Sequence, residues 1–223
     1  MSAAAIDSTI SHVLGRARGR ATVAAMALTL ALAACESTEP VYVEKPVEVL
    51  YNEAMDALED GRYTEAHEAF EEVERQHPYS KWATKAQLMA AFSYYLSDRY
   101  DEAINAADRF IQLHPGDPDV AYAYYMIGIS YYERIIDVGR DQDFTRLALI
   151  SLEEIVRRFP DSKYAQDARL KVDLARDHLA GKEMDVGMYY LTRGQYGAAI
   201  NRFRTVIEQH QTTSHVPEAL HRL

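Results

Sequence analysis

The stretches GRYTEAHEAFEEVERQHP and DRYDEAINAADRFIQLHP superpose at a spacing of 37 residues, and this constrains the fold more than any other feature of the chain. Tyr63 falls on Tyr100, Ala66 on Ala103, Val73 on Phe110 and Pro78 on Pro115. Downstream, Ala148, Leu152, Ile155 and Pro160 keep the same offsets, and Ala199, Phe203 and Val206 keep them again with Gln211 in place of the proline. Steps of four and seven put these side chains on one helix face, with a small alanine where a neighbouring helix must come close. The proline ends each helix. A short helix with one apolar face cannot bury that face alone, so four such units must stack on each other.

Before each motif helix lies a turn, at Asp60-Gly61, Ser97-Asp98 and Arg193-Gly194. The pattern resembles the tetratricopeptide repeat, whose usual period is about 34 residues. The expected fold is all-α, a right-handed superhelical solenoid of such helix pairs. They are placed at 48–60 with 63–77, 81–97 with 100–113, 119–136 with 144–159, and 163–193 with 196–210. The third unit has a lengthened loop within 134–146, and the 163–193 segment is read as two helices, one closing the third unit and one opening the fourth. The repeat-packing residues are Ala66, Phe70, Pro78, Ala103, Phe110, Pro115, Ala148, Leu152, Pro160, Ala199 and Phe203. A fifth unit begins at Pro217, and the chain is expected to continue beyond residue 223 with at least one more helix pair.

The first 34 residues follow other rules. Arg16, Arg18 and Arg20 precede ATVAAMALTLALAA, an uncharged run too short to span a membrane comfortably, and then Cys35, the only cysteine. A lone thiol forms no internal disulfide and no cysteine metal cluster. Leu32-Ala33-Ala34-Cys35 resembles the lipobox of bacterial lipoproteins, which implies a signal peptide over 1–34. Cys35 would then carry diacylglycerol and an N-acyl group, which anchor stably together. Residues 35–47, with two prolines and no helical period, read as a tether, and 48–223 as the solenoid.

A net charge of −10 without a basic run argues against nucleic-acid binding. No phosphate loop, zinc-protease motif or nucleophile elbow occurs, and the histidines are not spaced as a metal site, so neither catalysis nor a cofactor or metal is expected. Nine of the 16 tyrosines cluster instead in the first helices of the repeats, in SYYL, YAYYMIGISYYER and MYYL. Tyr94, Tyr95, Tyr124, Tyr125, Tyr131 and Tyr132 are the candidates for a peptide groove, with one member of each adjacent pair packing between helices.

Three stretches are more specific. NEAMDALEDGRYTEAHEAFEEVERQHPYSKWATKAQLMAAFSYYLSDRYDEAINAADRFIQLHP is similar to the first two repeats of the BamD family of outer-membrane assembly lipoproteins. GRDQ with RRFPDSKYAQDAR is similar to the third, and YYLTRGQYGAAINRFRTVIEQHQTTSHVPEAL to the fourth and the start of the fifth. The resemblance implies an outer-membrane lipoprotein facing the periplasm, within the complex that folds and inserts β-barrel proteins. It implies as partners the POTRA region of BamA, unfolded barrel proteins and other accessory lipoproteins. The family's BamA-contacting arginine matches Arg202, with Asn201 beside it and Arg204 close by. The alternative is a repeat lipoprotein organising peptidoglycan synthesis or cell division.

Overall fold

The computed structural model of the protein describes residues 44–223. Cys35, the segment before it and most of the tether lie outside the described residues. Nine helices lie among the described residues: α1 Val47–Glu59, α2 Tyr63–Gln76, α3 Lys81–Leu96, α4 Tyr100–Leu113, α5 Val120–Tyr132, α6 Asp143–Arg158, α7 Lys163–Thr192, α8 Tyr196–Gln209 and α9 Val216–Arg222. Each packs against the next, and the first helices of successive repeats also touch, α1 with α3, α3 with α5 and α5 with α7. This is an all-α stack of tetratricopeptide-like helix pairs.

The turn chemistry repeats with the sequence. In the first, second and fourth units the turn within the pair carries a left-handed residue, Gly61 at φ 75°, Asp98 at φ 59° and Gly194 at φ 74°. The next amide then reaches back over the turn, from Arg62 to the Ala57 carbonyl, Arg99 to Tyr94 and Gln195 to Tyr190. This double-bonded closure satisfies carbonyls that a helix end otherwise leaves open. Ser80 and Ser162, following two of the repeat prolines, cap α3 and α7 by accepting from the Ala83 and Ala165 amides at 3.0 and 3.1 Å.

The motif residues form the core. Ala66, Phe70, Val73, Ala103, Phe110, Ala148, Leu152, Ile155, Ala199, Phe203 and Val206 are all buried. Pro78, Pro115 and Pro160 are exposed; they end helices and fill no core space. The facing position on the first helix is just as regular: Ala54, Ala91 and Gly128 stand 37 residues apart, and Gly187 serves the fourth unit. A Cβ on Gly128 would lie 2.7 Å from Leu152 Cδ2, and one on Gly187 2.5 Å from Phe203 Cε1. The helices of these pairs approach as closely as glycine allows.

The expectation of two helices over 163–193 is corrected: α7 is one helix of 30 residues. Ala165, Ala168, Val172 and Ala175 are buried at spacings of three and four, then Ala180, Met184 and Gly187 after a step of five. At about 100° per residue, that step turns the buried face by about 100° around the axis. The break in period marks a change of packing partner, from α6 to α8, and no break in the backbone. The long loop within 134–146 lies against this middle section. Buried Gln142 donates to the Asp137 and Arg140 carbonyls, and its Oε1 accepts from Thr145 and lies 3.0 Å from His178 Nδ1.

Candidate interaction surface

The first helices touch along the stack, which brings their side chains into one row from repeat to repeat. Aromatic contacts run along it: Tyr51 with Trp82 at 4.7 Å, Phe92 with Tyr122 at 6.4 Å, and Tyr164 with both Tyr122 and Tyr125 at 5.2 and 5.3 Å. Burial pushes the Tyr122 phenol well above its ordinary pKa. Tyr51, Trp82, Phe92, Tyr122 and Tyr164 were not among the groove candidates. Their signal in the sequence is an aromatic in each first helix, outside the doubled tyrosines.

The six candidate tyrosines divide by their contacts. Tyr94 is only 9% exposed; its hydroxyl donates to Glu71 Oε1 at 2.5 Å and its ring stacks on His67. Burial, then the Glu71 carboxylate, push its pKa up to about 12. Tyr95 is half-buried and donates to Glu133 at 3.2 Å, with burial again raising its pKa to about 12. Tyr125 donates to Asp167 of α7 at 2.5 Å, and Tyr124 accepts from Arg158 at 2.9 Å. Tyr131 and Tyr132 pack at the edge of the third core, and Tyr132 also lines a cleft of about 520 Å³ with Ile135, Val138, Leu174 and His178. Tyr95, Tyr125 and Tyr132 thus stand where the first helices meet, while Tyr94 is enclosed between repeats.

The fourth-repeat candidates lie on α8, a second helix. Arg202 is tied to Glu183 of α7 at 3.0 Å and remains nearly half exposed. Asn201 and Arg204 are exposed, and Arg204 makes no ion pair among the described residues. Exposed Tyr189 lies under the Arg193 guanidinium, 3.9 Å from ring centre to Cζ. Among the described residues no group of three or more histidines, cysteines or carboxylates is placed to hold a metal, and no helix is long and apolar enough to cross a membrane.

A solenoid of helix pairs whose first helices offer aromatic side chains and whose last pair offers two exposed arginines, Arg204 without an ion pair among the described residues, is a scaffold of the tetratricopeptide class. Comparison with known proteins makes this particular. Residues 43–223 match the family described as YfiO, outer membrane lipoprotein. The chain is 50% identical over 210 residues to the outer membrane protein assembly factor BamD of Caulobacter vibrioides, covering 92% of this chain and 69% of that protein. It is 44% identical over 201 residues to BamD of Rickettsia prowazekii, covering 90% and 80%, and 37% identical over 211 residues to that of Neisseria meningitidis serogroup B, covering 87% and 79%. The chain belongs to the BamD family of outer membrane lipoproteins.

Proposed function

We propose that the protein is a non-enzymatic scaffold of the outer-membrane β-barrel assembly complex. The family match over residues 43–223, made by a chain whose described residues form a stack of helix pairs, carries this reading. In finer terms, lipid on Cys35 holds the solenoid at the outer membrane, on its periplasmic side. The first-helix surface bearing Tyr95, Tyr125 and Tyr132 receives unfolded barrel segments, and Asn201, Arg202 and Arg204 meet the POTRA region of BamA. Aromatic rings with a hydroxyl edge suit extended apolar peptide, and an arginine pair suits an acidic patch.

Two measurements test it. Growth with labelled fatty acid is expected to label the wild-type protein and not Cys35→Ser; labelling unchanged by the substitution sinks the anchor. Purification from detergent-solubilised envelopes is expected to recover a POTRA-containing barrel protein, with recovery falling about tenfold in Arg204→Glu, a change of about 1.4 kcal/mol in affinity. Arg204 is the cleaner site, because reversing Arg202 also sets a like charge against Glu183. Recovery unchanged by either reversal moves the interface off α8. Peptidoglycan enzymes in place of a barrel protein overturn the assembly role.

A further inference from the structure

We propose that the junction between the first and second repeats is a proton-sensitive hinge, closed while neutral His67 holds Arg99 and opened when His67 takes up a second proton. The inference goes beyond the scaffold reading and does not depend on it. His67 lies on α2 with 3% of its surface exposed. Its Nε2 is 2.9 Å from Nη1 of Arg99, the residue that caps α4. A guanidinium only donates, so Nε2 must be the acceptor and the imidazole proton must sit on Nδ1. Nδ1 is in turn a buried side-chain polar atom with no hydrogen-bond partner among the described residues. The ring is therefore held neutral, in one tautomer, at the cost of an unsatisfied donor.

The surroundings make this contact the link between repeats. The Tyr94 ring of α3 stacks on the imidazole at 4.2 Å and lies 4.8 Å from the Arg99 Cζ, so one ring contacts both partners. Arg99 also binds Glu102 of α4 through Nε and Nη2, at 3.0 and 2.8 Å. The charges acting on His67 come from Glu68 and Glu71 of α2 itself and from Arg99 and Glu102 of α4 and its cap; α1, on the other side of α2, supplies none of them. Burial and then Arg99 lower the pKa of His67, and the three carboxylates oppose them. A proton on Nε2 points directly at the guanidinium and abolishes the only acceptor it offers. The carboxylates of Glu68, Glu71 and Glu102 give the new cation partners outside its pocket, so the junction rearranges and the repeats stay folded.

The sign follows from linkage. A histidine kept neutral in the folded state gives its full stabilisation above the ordinary pKa of about 6.5 and loses it as pH falls below that value. The test is nitrogen-15 NMR of the histidine rings between pH 7.5 and 5, in the wild type and in His67→Gln, whose amide oxygen also accepts from Arg99 but does not titrate. The expected wild-type result is the Nδ1–H tautomer at neutral pH and a His67 midpoint below 6.5. The Tyr94, Arg99 and Tyr100 amides should move with the same midpoint, and stay still in His67→Gln. Hydrogen exchange of those amides, corrected for the intrinsic rate, should rise about tenfold for each unit of pKa depression traversed. An Nε2–H tautomer, a midpoint at or above 6.5, or amide movement that persists in His67→Gln overturns the proposal. The wild-type tautomer decides the first point even if the variant folds poorly.

Discussion

Replacing Phe203 with alanine is expected to destabilise the fourth repeat by about 3–5 kcal/mol. The ring is fully buried, in the cluster formed with Ala180, Met184, Ala199, Val206 and Ala219. Truncation removes its burial and leaves a cavity that two helices pinned at Gly187 cannot easily close. In a stack whose units contact only their neighbours, the loss is local. Amides of α8 and of the second half of α7 should exchange early, while those of α1 to α4 keep their protection. A loss below about 1 kcal/mol, or one spread evenly over all repeats, would show that Phe203 does not anchor this pair.

The partner substitution, Gly187→Ala, adds one methyl group and is expected to cost about 1–3 kcal/mol. On propensity alone it should stabilise α7 by about 1 kcal/mol, since glycine is a poor residue inside a helix. The clash decides the sign: the new Cβ meets three atoms of the Phe203 ring, at 2.5, 2.9 and 3.1 Å, and that ring is rigid and fully buried, with packed neighbours on its other sides. Combining the two substitutions makes the argument falsifiable by denaturant melts. With Phe203 already reduced to alanine, Gly187→Ala should become neutral or stabilising, giving a strong negative coupling in the double-mutant cycle. If its cost is the same in both backgrounds, the close approach at Gly187 is not what excludes a side chain. Gly128 is the milder case: its nearest approach is 2.7 Å, to Cδ2 of Leu152, with Cγ of the same flexible side chain at 3.1 Å.

The second helices were legible in the sequence because each carries alanine and a large apolar residue at recurring offsets, followed in three of the four by proline, and helix-pair contacts require those residue types. The first helices were half legible. Ala54, Ala91 and Gly128 keep the 37-residue period, as do Ser93 and Ser130, each buried and bonded to the carbonyl four residues before it, but small residues carry little weight in a reading for apolar faces. The α7 helix was misread for a physical reason: a stripe that turns around the axis looks the same in sequence as two helices joined by a loop. The tyrosine pairs could not be divided, because what separates Tyr94 from Tyr95 is a partner in another repeat, Glu71 for one and Glu133 for the other. Arg202 pairing with Glu183 and the His67–Arg99 contact were hidden in the same way, since each joins residues on different helices. The inter-repeat pairs of Arg134 with Asp101 and Arg176 with Glu153 belong with them; each is only partly screened from solvent and contributes about 1 kcal/mol.

The unbroken α7 has a consequence for how the protein tolerates change in length. Elsewhere a loop joins one repeat to the next and can absorb an added residue. Between the third and fourth repeats the joint is the helix itself, so it acts as a camshaft whose two lobes are cut at a fixed angle. One residue inserted between Ala175 and Ala180 would turn everything after it by about 100° and advance it by about 1.5 Å, carrying Arg202 and Arg204 to a new bearing relative to the tyrosine surface. A deletion would turn them the other way. Any partner that touches both surfaces at once therefore meets them at an angle set by the count of residues in one helix.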